Sequence, residues 1–266
     1  MYAFEYKRPA SLAEAAQLLS GDDEAKLVAG GQTFIPTLKQ RLAQPSTVID
    51  LGAIGELAGI REEAGGVTIG AMTRHGQVAS NDVVRRVIPS LAGMAEVIGD
   101  PQVRNLGTLG GSIANNDPAA DYPGALLALQ ATIRTNKREI AADDFLTGMF
   151  DTALEADEII KEVHFKKPDV GHYEKFRNPA SRYAIVGAYV TRYGGTVRVA
   201  ITGAGACAHR WSAAESASAL GGNFAADAVA GLTVDAGDLN SDIHASADYR
   251  AHLVKVMTQR AVKACA

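Results

Sequence analysis

The chain has 266 residues, 47% of them hydrophobic, and 26 basic against 30 acidic side chains give it a formal charge of −4. That is length for one large domain or two moderate ones with real cores. No basic block marks the chain for a phosphate backbone, which argues against nucleic acid as a partner.

The opening MYAFEYKRPA has neither the apolar core of a signal peptide nor an Arg/Ser-rich presequence, and no apolar run is long enough for a membrane span. The expectation is a cytoplasmic protein. In SLAEAAQLLSG, Ser11 stands at a cap position with Glu14 three residues on, Leu12, Ala15, Ala16 and Leu19 share a face, and Gly21 stops the run, which predicts a short helix. AKLVA reads as a buried strand entering the Gly30-Gly31 turn, IPTLKQRLA as a short helix with proline in its first turn, and TVIDL as a second buried strand. This order predicts a small α/β unit.

From Gly59 the texture turns to β-prone pieces, VTIGAM, ATIRT and EIIKEVHF, divided by a helix at SLAGMAEVIG whose Leu91, Met94, Ala95 and Ile98 share one face. KKPDVGH (166–172) has the charge, proline and glycine of a linker, so the chain divides into 1–168, with subdomains of about 1–58 and 59–168, and a C-terminal domain, 169–266. In that domain YAIVGAYVTRYGGTVRVAITGAG carries two β-rich runs around Gly194-Gly195, a hairpin signal. WSAAESASAL follows as a helical pattern, and SADYRAHLVKVMTQRAVKAC closes the chain as a helix with Leu253, Val256, Met257 and Ala261 on one face. The fold class is α+β, with an antiparallel sheet in its last third.

Two stretches carry the chemistry. LVAGGQTFIP (27–36) and GTLGGSIANNDPAADYP (107–123) both run from apolar residues into paired glycines and then a hydroxyl or amide side chain. Glycine, lacking Cβ, lets backbone N–H groups come close to a bulky anion, and a diphosphate suits such turns. One glycine pair is more often a plain turn. The repetition of AGGQT in TLGGS points to a clamp on a dinucleotide diphosphate.

Other sites find less support. There is no GxxxxGK[ST] motif; GAGACA (203–208) is a GxGxxA variant after VRVAI, but it follows a hairpin instead of opening a βαβ unit, which argues against a Rossmann site. Asp121 beside a diphosphate needs a hydroxyl or N–H to face, such as a ribityl, ribose or flavin ring group; equally, it suits the cap of a helix beginning near Pro123. His164 with His172, and His244 with His252, lack the spacing of paired helical ligands, and Ser112 lacks the glycine of a GxSxG elbow, so neither a metal site nor a hydrolase is indicated. Trp211 reads as packing and Arg104 as a solvated side chain. Cys207 and Cys265 read as free thiols, too few for an iron–sulfur cluster.

DPQVRNLGTLGGSIANNDPAADYP resembles the FAD-carrying medium subunit of the molybdenum hydroxylases, of the aerobic carbon monoxide dehydrogenase and xanthine dehydrogenase type. AGGQT in its place, the early RPASLAEAAQLL and the later YEKFRNPASRYAIVGAYV extend the likeness over nearly the whole chain. The resemblance implies a two-subdomain FAD-binding region, vanillyl-alcohol-oxidase/PCMH-like, followed by the smaller α+β domain. By motif it implies that Ala29, Gly30, Gly31, Gln32 and Thr33, with Thr108, Leu109, Gly110, Gly111 and Ser112, cradle the diphosphate. It also implies that Asp121 holds the ribityl or ring portion and that Lys175, otherwise a solvated strand-edge lysine, approaches the isoalloxazine, where a cation favours the reduced flavin. Relatives commonly carry an aspartate just before the YA strand; here RNPAS leads to Arg182, which leaves the contacts at the flavin edge open.

The function so implied is electron transfer. FAD takes electrons from iron–sulfur clusters on a small partner subunit and passes them to an external acceptor, while a molybdopterin-binding large subunit handles the substrate, the whole being a dimer of heterotrimers. Two other classes stand beside it: a self-sufficient FAD-dependent reductase using NAD(P)H, and a cofactor-free scaffold whose glycine pairs are plain turns.

Overall fold

The computed structural model describes residues 1–63 and 65–265. The chain opens with β1 (Glu5–Lys7), α1 (Leu12–Ser20), β2 (Lys26–Val28), α2 (Phe34–Lys39) and β3 (Thr47–Asp50), and the three strands form a parallel sheet in the order β1-β3-β2. Ser11 Oγ accepts from the Glu14 N–H at 3.2 Å and Gly21 ends α1, so the cap signals act as read. Ala15 and Leu19 share a core with Ile49 and Leu57. β1 was not foreseen: its three residues are all exposed and carry no apolar pattern. α2 stops at Lys39, short of the predicted run to Ala43, because Arg41 turns to φ +59.

The next region runs β4 (Ile60–Glu63), β5 (Gly66–Gly70), α3 (His75–Ser80), α4 (Asp82–Val87), α5 (Pro89–Glu96), α6 (Pro101–Leu106), α7 (Leu109–Asn115), α8 (Tyr122–Ala128), β6 (Thr132–Thr135), β7 (Glu139–Ala141), α9 (Ala142–Phe145), β8 (Leu146–Gly148), β9 (Asp151–Thr152) and β10 (Ile160–Lys166). Five strands make a wholly antiparallel sheet, β4-β5-β10-β6-β7. Val67, Ile69, Val163 and Phe165 from that sheet share a core with Leu91 and Met94 of α5 and Leu126 of α8. The helix at SLAGMAEVIG is α5, although Ile98 lies beyond its end. α7 was read as part of a loop, and no helix was predicted over α3, α4 or α6. Each has six or seven residues, too few for helical periodicity to register.

Between β10 and β11 (Val170–Arg177) lies a short hydrogen-bonded turn, in which Lys167 N–H donates to Gly65 O at 2.8 Å and Asp169 N–H to Arg192 O at 2.9 Å. β12 (Ala184–Tyr193), β13 (Thr196–Thr202), β14 (His209–Arg210), α10 (Ser212–Glu215) and α11 (Ala247–Ala264) complete the chain, with the strands antiparallel in the order β11-β12-β13-β14. Gly194, at φ +57, turns the predicted β12–β13 hairpin, in which Tyr193 pairs with Thr196. GAGACA joins two antiparallel strands, which removes the dinucleotide reading for that segment.

Leu253, Met257 and Ala261 of α11 bury against Val186, Val190 and Trp211. Two local readings need correction. Val254, not Val256, completes the buried face of α11, and only Ser212–Glu215 of WSAAESASAL is helical, because Ser216 swings out to ψ 159. Tyr173 and Tyr189 of this sheet belong to the core beneath the five-stranded sheet, so the two layers are continuous there. Among the described residues no helix is long and apolar enough to cross a membrane.

Candidate functional site

Both glycine segments line one cleft of about 650 Å³, within the range of small-molecule and cofactor sites. The first leaves β2 and turns at Gly31, φ +70, into α2. Among the described residues the N–H groups of Gly30, Gly31, Gln32 and Thr33 have no hydrogen-bond acceptor. They remain for a ligand.

The second segment differs from its reading as a loop of free amides. Thr108 caps α7, its Oγ1 accepting from Gly111 N–H at 3.2 Å. Leu109 N–H donates to Thr73 O at 3.0 Å, Gly110 N–H to Ala71 O at 2.8 Å and Ser112 N–H to Thr108 O at 3.1 Å. What it offers the cleft is the Thr108 N–H and the hydroxyls of Thr108 and Ser112. Leu109 is wholly buried, an anchor in the core that does not line the cleft. The glycines serve approach: a Cβ on Gly111 would lie 3.5 Å from Ala29 Cβ, so the two segments meet at van der Waals distance.

Asp121 stands at the N-terminus of α8 without capping it. Its backbone is already helical, φ −81 and ψ −41, and its carboxylate turns instead to β11, accepting from Tyr173 Oη at 2.5 Å and from Lys175 Nζ at 3.1 Å, with the ammonium 2.9 Å from its other oxygen. Asp121 lines the cleft. Burial pushes its pKa up, opposed by the Lys175 ammonium and by the hydrogen bonds from Tyr173 and Lys175. Lys175 is no solvated lysine. Its side chain is 4% exposed, it also donates to Val97 O at 2.9 Å, and it does not line the cleft. It reaches the site through Asp121.

The RNPASR stretch has a built structure. Asn178 Oδ1 accepts from the N–H groups of Ala180 and Ser181 at 2.9 and 3.1 Å, and its carbonyl accepts from Arg182 N–H at 2.9 Å. Arg182 is held at φ +64, donates to Gly99 O at 3.3 Å and lines the cleft beside Tyr183. Arg104 is likewise tied down, donating to the carbonyls of Ile98 and Gly99 at 2.9 and 3.1 Å.

Sequence reading missed His75 and Tyr173. His75 lines the cleft, its N–H donating to Gly107 O at 2.9 Å; burial, with help from the Arg104 charge, pushes its pKa down to about 4. Tyr173 was legible in principle, since it sits two residues before Lys175 and so on the same face of a strand. A further set, Leu27, Leu51, Met72, Leu154 and Ile159, gives the cleft an apolar wall. Among the described residues no cluster of His, Cys, Asp or Glu is arranged to hold a metal ion, and both cysteines are free. Uncommitted amides for a diphosphate, an apolar wall for a planar ring and a buried carboxylate for hydroxyl or N–H groups fit FAD.

Comparison with known proteins agrees with that chemistry. Residues 2–167 match the family described as FAD binding domain in molybdopterin dehydrogenase. The chain is 36% identical to the nicotine 6-hydroxylase medium subunit of Paenarthrobacter nicotinovorans, over 98% of this chain and 96% of the relative. It is 38% identical to the carbon monoxide dehydrogenase medium chain of Hydrogenophaga pseudoflava, with the same coverage of 98% and 96%. A solved structure of carbon monoxide dehydrogenase from Hydrogenophaga pseudoflava, a form lacking the Mo-pyranopterin moiety, superposes with a TM-score of 0.89 and 35% identity, covering 99% of this chain and 97% of that one. A cleft with cofactor-binding chemistry, an α+β scaffold and relatives alike over nearly their whole length lead to one conclusion: the chain belongs to the family of FAD-binding domains of molybdopterin dehydrogenases.

Proposed function

We propose that the chain is the FAD-carrying, electron-transferring medium subunit of a heteromeric molybdenum hydroxylase. The observation that carries this reading is the single cleft shared by the two glycine segments, with unused amides at Gly30, Gly31, Gln32 and Thr33. Bound FAD supplies the redox chemistry, which the protein tunes by position and charge. The chain's own residues bind and orient. The free amides of the first segment, with the Thr108 and Ser112 hydroxyls, take the diphosphate; Ala29, Gly110 and Gly111 set the close approach, and Leu109 pins the second segment to the core. The apolar wall at Leu27, Leu51 and Met72 takes the adenine, while Asp121 accepts from a ribityl hydroxyl or ring N–H. Arg182 and Tyr183 border the ring, and Lys175 acts on it through Asp121.

Residues 1–168 form the FAD-binding region and 169–266 the C-terminal domain. The electrons come from iron–sulfur clusters on a small partner subunit and leave for an external acceptor; a large subunit holds the molybdenum cofactor. The near full-length relatives are themselves named as a medium subunit and a medium chain, which supports a heteromeric assembly over a self-sufficient NAD(P)H reductase. The complex is a cytoplasmic dimer of heterotrimers. The test is purification of the chain with FAD, alone and co-expressed with its partners. A yellow protein that oxidises NADH only in the complex, or not at all, is expected; a chain that stays colourless after incubation with FAD overturns the reading.

A further inference from the structure

Two donor side chains converge on one buried carboxylate. Asp121, on the cleft wall, receives Tyr173 Oη at 2.5 Å on Oδ1, and Lys175 Nζ at 2.9 Å on Oδ1 and 3.1 Å on Oδ2. The side chains of Asp121 and Lys175 are each 4% exposed, and Tyr173 is buried. Lys175 has another bond to Val97 O, so the ammonium is held by protein acceptors and does not line the cleft. Tyr173 is fitted with equal closeness: a Cβ on Gly187 of β12 would lie 2.3 Å from its hydroxyl. Both donors belong to β11, an edge strand of the C-terminal sheet, whereas Asp121 belongs to the FAD-binding region.

We infer that Tyr173 and Lys175 are positioning residues which fix the Asp121 carboxylate, charged and oriented, against the cofactor, so that the C-terminal sheet sets the recognition of the ribityl or ring portion without touching it. This rests on the reading of the cleft as the FAD site. Two donated hydrogen bonds and a close ion-pair contact on one carboxyl group leave it little freedom of rotation, and the remaining lone pairs are what the cleft meets. Other titratable or charged groups on this cleft or beside Asp121 include Asp117, Tyr122, Tyr183, His75 and Arg182, the last of which donates to Gly99 O and not to Asp121. The Lys175 ammonium, together with the hydrogen bond from Tyr173, counters the burial that favours the neutral acid.

The test is FAD titration of the full-length chain after removal of its flavin, followed by fluorescence quenching. Asp121→Asn and Lys175→Met are each expected to weaken binding about tenfold, and Tyr173→Phe roughly threefold to tenfold, as for loss of hydrogen bonds to a charged group. The double variant Asp121→Asn/Lys175→Met is expected to bind no worse than the weaker single variant, because Lys175 acts through the carboxylate. In Lys175→Met, affinity should rise with pH as the buried carboxyl ionises, while the wild type stays flat between about pH 6 and about pH 8.

Multiplied losses in the double variant would mean that Lys175 meets the cofactor on its own, and would overturn the inference. So would single variants that bind FAD like the wild type with only a lowered melting temperature, the mark of a purely structural bridge. If Lys175→Met does not fold, Tyr173→Phe against Asp121→Asn gives the same cycle. A wild-type chain that binds no FAD removes the functional reading first, and the inference with it.

Discussion

The carbonyl oxygen of Leu106 lies 2.3 Å from the place where a Cβ on Gly30 would stand, with Gly107 Cα 2.7 Å away. The first glycine segment is seated against the backbone that leads into the second. Both obstructing atoms are main chain, so no side-chain rotation relieves a Gly30→Ala substitution, and the segments must part. Overpacking of that kind costs about 1–3 kcal/mol. Gly30→Ala is expected to lower the melting temperature by a few degrees and to weaken FAD binding at least about tenfold, measured by retained flavin absorbance. Gly55→Ala, which meets nothing within 4 Å, should change neither.

Thr108 ties the start of α7 through its hydroxyl, 3.2 Å from Gly111 N–H. Thr108→Val removes an N-cap at a cost of about 1 kcal/mol and deletes one of the hydroxyls offered to the diphosphate. Thermal melting and FAD titration should both report the loss. Thr108→Ser should restore both.

Asn116 ends α7 in the left-handed region, φ 41 and ψ 49, and its Nδ2 donates to Gly148 O at 2.9 Å and Asp151 O at 2.7 Å. Asn116→Ala leaves two carbonyls without their donor and strains an alanine, together roughly 2–4 kcal/mol. Asn116→Gly relieves the backbone part only and should fall between wild type and alanine. Urea unfolding at fixed pH gives the order.

His75 sets the first step of acid destabilisation. Its ordinary pKa of 6.5 falls to about 4 on folding, so the unfolded chain binds the extra proton between those values. Its contribution is complete above pH 6.5 and is lost as pH falls toward about 4, roughly 3 kcal/mol in all. Glu63 acts in a lower window. Hydrogen bonds from Arg134 and Thr68 hold its pKa at about 2 against an ordinary 4.5, so its contribution fades as pH drops below 4.5 toward 2. Denaturation curves taken across pH should flatten between about pH 6.5 and about pH 4 in His75→Gln, with the lower step retained.

Local signals carried far in some places and failed in others for identifiable reasons. Ser11, Glu14 and Gly21 bound a helix because caps are satisfied by neighbours in the chain, and Gly194-Gly195 turned its hairpin for the same reason. The short helices α3, α4 and α7 were missed because packing in the core under the five-stranded sheet, more than any pattern of their own, holds them, and α6, which buries no residue, has no apolar face to read. The TLGGS glycines were taken for ligand-binding amides. Their N–H groups are used inside the fold, and their missing side chains let α7 close on Ala71 and Ala29.

The pairing of two glycine segments and the α+β order could be read from one dimension, because glycine geometry, capping and strand alternation act over a few residues, whereas Lys175 was singled out only through the family resemblance. The partners of Asp121 could not. Whether it capped α8 or faced a ligand, and whether Lys175 stood in solvent, depended on β11 crossing behind residues more than fifty positions earlier. Electrostatics and burial act through space, and only the folded chain brings those side chains within reach of one another.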